Sequence, residues 1–233
     1  MRNEARGYFL NEYGSWSVLI IAYLIGLGVS HAFSWMAMPL FLALGLLINS
    51  KQAFMRWVRR TGDRTSLAVF LGQIAAAVVV LVGIFQGEIP RLLPLLVFPT
   101  LYLFMNKLKG EHFILTEVLG FTLLSLAAVL AKFLLTDGLD IRLFLGVALY
   151  FSVGVFKIKA VLLKKKKDRI LTAIAVVVAA VVYHLLHLPI IILLPLVDNL
   201  IVAAVLYRVK LRTTGWIEVA KSLMLLGLFI SYY

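Results

Sequence analysis

An all-α protein that crosses a membrane many times is the fold class this sequence predicts, on three observations. Of its 233 residues, 63% are hydrophobic and only 15% charged, with a mean hydropathy of +1.01; a soluble domain is about 45–50% apolar and about 25% charged. The apolar residues come in runs near the length of about 17–25 residues that a helix needs to cross the hydrocarbon core. The formal charge of +12 sits in the gaps between runs, as in membrane proteins with basic cytoplasmic loops, so no nucleic-acid partner is expected. The runs show no period-2 alternation, which leaves helices as the way to satisfy backbone polar groups in lipid. With no cysteine, disulfides, iron–sulfur ligation, thiolate zinc sites and cysteine nucleophiles are excluded. Residues 1–233 read as a single transmembrane domain, and the first run is expected to be a span rather than a cleaved signal.

Cutting the chain at charge clusters and at Gly, Pro and Asp gives nine transmembrane helices: 16–33, 34–50, 66–86, 90–106, 113–136, 142–163, 170–187, 188–207 and 216–233. The first two nearly touch around His31 to Ser34, and the seventh and eighth meet at His187-Leu188-Pro189; both pairs are expected to be tight hairpins. Cytoplasmic loops should carry the Lys and Arg. With the chain in the cytoplasmic (inner) membrane and its N-terminus in the cytoplasm, seventeen of the basic residues fall in inner segments, and only Arg91 and Arg142 in outer ones. Dropping one internal span would scramble that alternation.

Ionisable groups inside a bilayer are costly and by default face a bundle interior or water. Glu117 lies about one turn into the fifth span, Lys157 and Lys159 near the inner end of the sixth, Asp198 beside Asn199 midway along the eighth, and Glu218 with Lys221 at the start of the ninth. Asn49 leaves the second span, followed by Lys51 and Arg56. A cytoplasm-facing polar cavity is one reading. The plainer reading has Lys157 and Lys159 snorkeling to headgroups, Glu218 and Lys221 neutralising each other at i, i+3, and the 51–64 and 164–167 basic clusters acting as topology determinants. Lys132 is expected to snorkel, and His184 with His187 to form an interfacial polar turn rather than a metal or haem site. Trp16, Trp35, Trp57 and Trp216 suit an interfacial belt, and Gly26, Gly28 and Gly72 close helix contacts. No phosphate-loop, serine-hydrolase or zinc-protease motif is present. No metal or cofactor is expected.

The run Asn11-Glu12-Tyr13-Gly14-Ser15-Trp16 resembles the His-Gly-Ala-Trp entry of the YwiC-like family of bacterial membrane proteins. Tyr150-Phe151-Ser152-Val153 on to Lys159, and Gly215-Trp216-Ile217-Glu218, agree with it. Nine helices, an inner N-terminus and large inner loops after the second and sixth spans resemble the plan of the UbiA prenyltransferase superfamily. That resemblance implies a UbiA-like bundle and, in the enzymes, aspartate-rich motifs that hold Mg²⁺ against a prenyl diphosphate. Here the first site reads Asn49-Ser50-Lys51-Gln52-Ala53-Phe54-Met55-Arg56 and the second Lys157-Ile158-Lys159, so lysine stands where carboxylate is required and the usual metal-dependent transfer is not expected.

The leading expectation is a protein that binds an isoprenoid, quinone or lipid amphiphile through an anionic head. Asn49, Lys51, Arg56, Lys157 and Lys159 would be its ligand-binding residues, and Glu117 and Glu218 its acid/base groups if it catalyses a non-standard transfer. The alternatives are a small-solute or proton-coupled transporter using Asp198, with Asn199 beside it as a second intramembrane polar group, and an assembly subunit of a membrane complex.

Overall fold

Runs rich in Leu, Ala, Met, Lys and Arg, the strongest helix formers, dominate the chain, and every regular element that the computed structural model describes is helical. The described residues are 12–59, 63–205 and 211–233. Among them α1 runs Tyr13–Val29, α2 Ala37–Arg59, α3 Arg64–Phe85, α4 Ile89–Leu92, α5 Val97–Lys109, α6 Ile114–Thr136, α7 Ile141–Leu163, α8 Lys166–Leu185, α9 Val197–Ala204 and α10 Leu211–Tyr232. Tight 3₁₀ turns fill Gln86–Glu88, Leu93–Leu96 and Ile190–Leu196.

By internal contacts the described chain divides into two compact units: 12–15 with Phe33–Pro94, and Trp16–Ala32 with Leu95–Tyr233. In the first, α2 packs along α3, with the Phe54 ring 6.0 Å from Trp57 and 5.4 Å from Phe70. Asp63 starts α3 by accepting from the amides of Thr65 and Ser66, which satisfies two of the donors a helix N-terminus leaves open. In the second unit α7 is central, flanked by α6 and α8, and it is the most enclosed of the spans. Leu126, Val129, Phe144 and Ala148 form a core cluster between α6 and α7, closed from the α5 side by Phe98, whose ring lies edge-on to Phe144 at 4.9 Å.

Gly26 and Gly28 set the close approach of α1. A Cβ at Gly26 would stand 2.1 Å from the Ala128 carbonyl oxygen of α6, and one at Gly28 2.5 Å from the Ile230 side chain of α10. Small residues allow such approach between helices in lipid. Gly72 has nothing within 4 Å and plays no such part in the described contacts.

Six helical stretches are long and apolar enough to span a bilayer: Ala37–Val58, Arg64–Lys109, Ile114–Thr136, Ile141–Leu163, Lys166–Leu185 and Thr213–Tyr232. Tyr13–Val29 and Ile190–Ala204 are shorter apolar helices. The 46 residues of Arg64–Lys109, with a mean hydropathy of 2.6 and almost no buried surface, hold two of the spans read from the sequence. At about 1.5 Å per residue a straight helix of this length would reach about 69 Å, roughly twice the hydrocarbon thickness. The 3₁₀ turn at Gln86–Glu88 interrupts it where the sequence predicts a loop, and a second at Leu93–Leu96 falls inside the predicted span 90–106. Such greasy, outward-facing surface is unfavourable in water and at home in lipid, and the protein is a helical membrane protein.

The large inner loops expected after the second and sixth spans are not formed. α2 continues through Lys51, Gln52, Ala53, Met55 and Arg56 to Arg59, because these are helix formers whatever their charge. Only Lys164 and Lys165 separate α7 from α8. Lys164 takes the left-handed conformation at φ 54°, and its amide donates to the Ala160 carbonyl, so the lysine run caps one helix and opens the next. His187 plays a similar part after α8: its φ is 54°, its amide donates to His184, and the Leu188 amide donates to Tyr183.

Candidate functional site

The second unit brings together four charges from three helices, two buried lysines and two carboxylates that are each about a quarter exposed. The Lys157 ammonium, on α7 and 0% exposed, donates to an Asp198 carboxylate oxygen on α9 and, at 2.5 Å, to Glu218 Oε1 on α10. Lys221, one turn after Glu218, reaches Glu218 Oε1 at 3.1 Å, Asp198 Oδ2 at 3.4 Å and Asn199 Oδ1 at 2.5 Å. Glu218 and Lys221 share a face because they are i, i+3; Lys157 and Asp198 come together only through packing of α7 against α9. Two ammonium groups and two carboxylates make the cluster formally neutral, the condition under which charges persist away from water.

Asp198 sits where the helix changes from 3₁₀ to α winding. Pro195 lies inside the 3₁₀ stretch Ile190–Leu196, and α9 starts at Val197, so Asp198 occupies the first turn of a fresh α-helix. A carboxylate suits the positive end of the helix dipole. The other end is answered by Arg169 of α8, whose Nε donates to the Ala203 carbonyl at 2.9 Å and whose Nη2 donates to that of Ala204. At about 2.0 Å per 3₁₀ residue and about 1.5 Å per α residue, the two segments together reach roughly 26 Å, close to the hydrocarbon thickness. The sequence reads 188–207 as one plain span and does not separate the 3₁₀ part from the α part; Pro195 is the signal that marks the change.

The predicted site residues fall in separate places. Glu117 pairs with Lys159 at 3.1 Å, and Lys159 also donates to the His112 carbonyl at 3.0 Å. Lys157 and Lys159 are two residues apart and therefore on opposite faces of α7, so one serves Asp198 and Glu218 and the other Glu117. Lys157 does not snorkel. Asn49, Lys51 and Arg56 lie on α2, in the first unit; there Lys51 Nζ lies 2.9 Å from both Glu12 oxygens, and Ser15 donates to Glu12 at 2.7 Å. Asn11 is outside the described residues. Among the described residues no group of three His, Cys, Asp or Glu side chains is arranged to hold a metal.

A further ionic group lies at the opposite end of α7. Asp140 starts that helix by accepting from the Leu143 amide, and it also accepts from Lys132 at 2.6 Å and from the Tyr233 hydroxyl at 2.7 Å. Lys132 is thus paired rather than snorkeling, with its ammonium 4.9 Å from the Tyr233 ring centre. A shallow groove of about 420 Å³ runs past these residues, lined by Lys132, Asp140 and Arg142 among others. Burial acts to raise the Asp140 carboxyl, but the Leu143 amide, Lys132 and Tyr233 outweigh it and hold the group below its ordinary range. Burial, and then the contact with Asp140, push the Tyr233 phenol up. A carboxyl lowered in the folded state adds stability above its unfolded pKa of about 3.9, and that contribution is lost as pH falls through the folded value. Asp140→Asn is therefore expected to lower stability at pH 7 and to flatten the loss between about pH 5 and the acid limb. Thermal unfolding in detergent across that range checks it, and parallel acid limbs in the two proteins would refute it.

Fold and site together define a polytopic helical membrane protein with a charge-balanced, partly buried cluster among its helices. The chain belongs to the YwiC-like protein family, whose model matches residues 9–132, just over half of its length. No curated protein and no solved structure matches it. Glu12, Asn49, Lys51, Arg56 and Glu117 lie within the matched residues, and the Lys157 cluster lies beyond them.

Proposed function

We propose that the protein is a proton-coupled carrier of a small solute in the cytoplasmic membrane, with Asp198 as its proton-exchanging group. The observation that carries this reading is the fully enclosed Lys157, held by carboxylates from two other helices. Ionisable groups within membrane spans mark ion and proton pathways. In a nine-span arrangement with the N-terminus in the cytoplasm and residues 1–233 acting as one transmembrane domain, the cluster lies in the cytoplasmic half. Lys157 is then about 9 Å from the inner end of α7, at about 1.5 Å per residue. A UbiA-like amphiphile binder of the kind expected from the sequence requires Lys157 and Lys159 on one surface around a single head group. They occupy opposite faces of α7 and serve different carboxylates, which favours the carrier.

In proteoliposomes loaded with a pH-sensitive dye, addition of a transported solute is expected to change the internal pH. Asp198→Asn is expected to reduce that rate at least about tenfold, the effect of losing roughly 1.4 kcal/mol in the limiting step, with an unchanged elution volume. Wild-type vesicles that match protein-free vesicles for neutral, anionic and cationic solutes alike would sink the proposal.

A further inference from the structure

Two buried hydrogen-bonding groups near the cluster have no partner. Asn199 is fully enclosed, its Oδ1 is taken by Lys221, and its Nδ2 makes no hydrogen bond. Tyr150 is 3% exposed, its hydroxyl makes no hydrogen bond, and it lies within electrostatic reach of Glu218 and Asp198. It stands seven residues before Lys157, two turns along the same face of α7. A neighbouring phenol of the same burial is satisfied, since Tyr183 donates to the Gly146 carbonyl at 2.7 Å. A buried donor left unmade costs about 1–3 kcal/mol, so two of them near one ion cluster call for an oxygen acceptor that is not part of the chain.

Charge decides which acceptor. Facing Asp198 are Lys157 from α7, Glu218 and Lys221 from α10, and the Asn199 amide beside it, while Arg169 of α8 binds the far end of α9. With both acids ionised the cluster is neutral. When a proton from the aqueous phase adds to the Asp198 carboxylate, one O–H bond forms, no other bond changes, and the cluster carries one positive charge. A monoanion arriving with that proton restores neutrality; a neutral solute leaves +1 and a dianion −1 in a medium where uncompensated charge is costly.

We propose that Asn199 Nδ2, the Tyr150 hydroxyl and Lys157 Nζ bind the carboxylate of a small monocarboxylate, which crosses together with the proton on Asp198. The amide and the phenol donate to the carboxylate oxygens, and Lys157, loosened from protonated Asp198, supplies the opposite charge. Because Lys157 and Asn199 are both fully enclosed, entry parts the helices, which suits a solute of few atoms. The inference rests on the carrier reading and deepens it by naming the substrate class.

Proteoliposomes containing a pH dye receive pyruvate, glycerol or choline. The expected result is internal acidification with pyruvate, one proton per pyruvate, at a rate that clamping the membrane potential does not change. Tyr150→Phe, which removes one oxygen and keeps the ring, is expected to raise the half-saturating pyruvate concentration about tenfold, as for one lost hydrogen bond to a charged group, with the proton ratio kept. An unchanged half-saturation in Tyr150→Phe and Asn199→Leu means that ordered water alone fills the site and overturns the inference. Proton movement driven by glycerol or choline and lost in Asp198→Asn also overturns it while leaving the carrier intact. Silence with all three solutes overturns the inference and counts against the carrier reading as well.

Discussion

Replacing Lys157 by Met is expected to lower folding stability by about 3–5 kcal/mol, the usual penalty when one member of a buried ionic group is removed and the others stay. Asp198 and Glu218 would then face each other with only Lys221 between them. The loss comes from stranding charge, not from losing volume, since Met fills nearly the same space. A second substitution should therefore recover part of it: Lys157→Met with Glu218→Gln is expected to be more stable than Lys157→Met alone. Denaturant-driven unfolding in mixed micelles measures both. Additive losses in the double variant would mean that the two side chains are not coupled.

The second large effect is steric. Gly26→Val is expected to prevent α1 from seating on α6, because even the first added carbon would lie 2.1 Å from a backbone oxygen, which cannot rotate away. Overpacking ordinarily costs about 1–3 kcal/mol, and a collision with main chain should fall at or above the top of that range. Gly83→Ala, on α3 with nothing within 4 Å, provides the contrast and should be neutral or slightly stabilising, as alanine is the better helix former by about 1 kcal/mol. Equal unfolding midpoints for Gly26→Val and wild type would show that the two helices do not meet as described.

Local features were legible in the sequence and long-range ones were not. Helical class, membrane embedding and the Glu218–Lys221 pair follow from composition and from i, i+3 spacing, which one chain segment decides by itself. The opposed directions of Lys157 and Lys159 were equally available, because two residues on a helix differ by about 200°. The partners of those lysines were not, since Asp198 is 41 residues from Lys157 and Glu218 is 61, and helix rotation is not set by hydropathy. Charge clusters were misleading as loop markers: Lys51 and Arg56 sit within α2, and Lys166 already belongs to α8. Tyr150 stood out in the sequence only as part of the Tyr150-Phe151-Ser152-Val153 stretch and by its seven-residue separation from Lys157. An unpaired hydroxyl can be recognised only once its neighbours are in place.

The eight residues of α9 are held at each end by a different neighbour. Arg169 grips the final carbonyls from α8, and Lys157 and Lys221 grip Asp198 from α7 and α10. Five residues separate Asp198 from Ala203, roughly 8 Å along the axis at about 1.5 Å each, too short a rod to absorb a displacement by bending. Arg169 itself follows the lysine run 164–167 in the first turn of α8. The first turn of α8 and the Asp198 carboxylate are therefore joined through one short rod, tied at one end by Arg169 and at the other by Lys157 and Lys221.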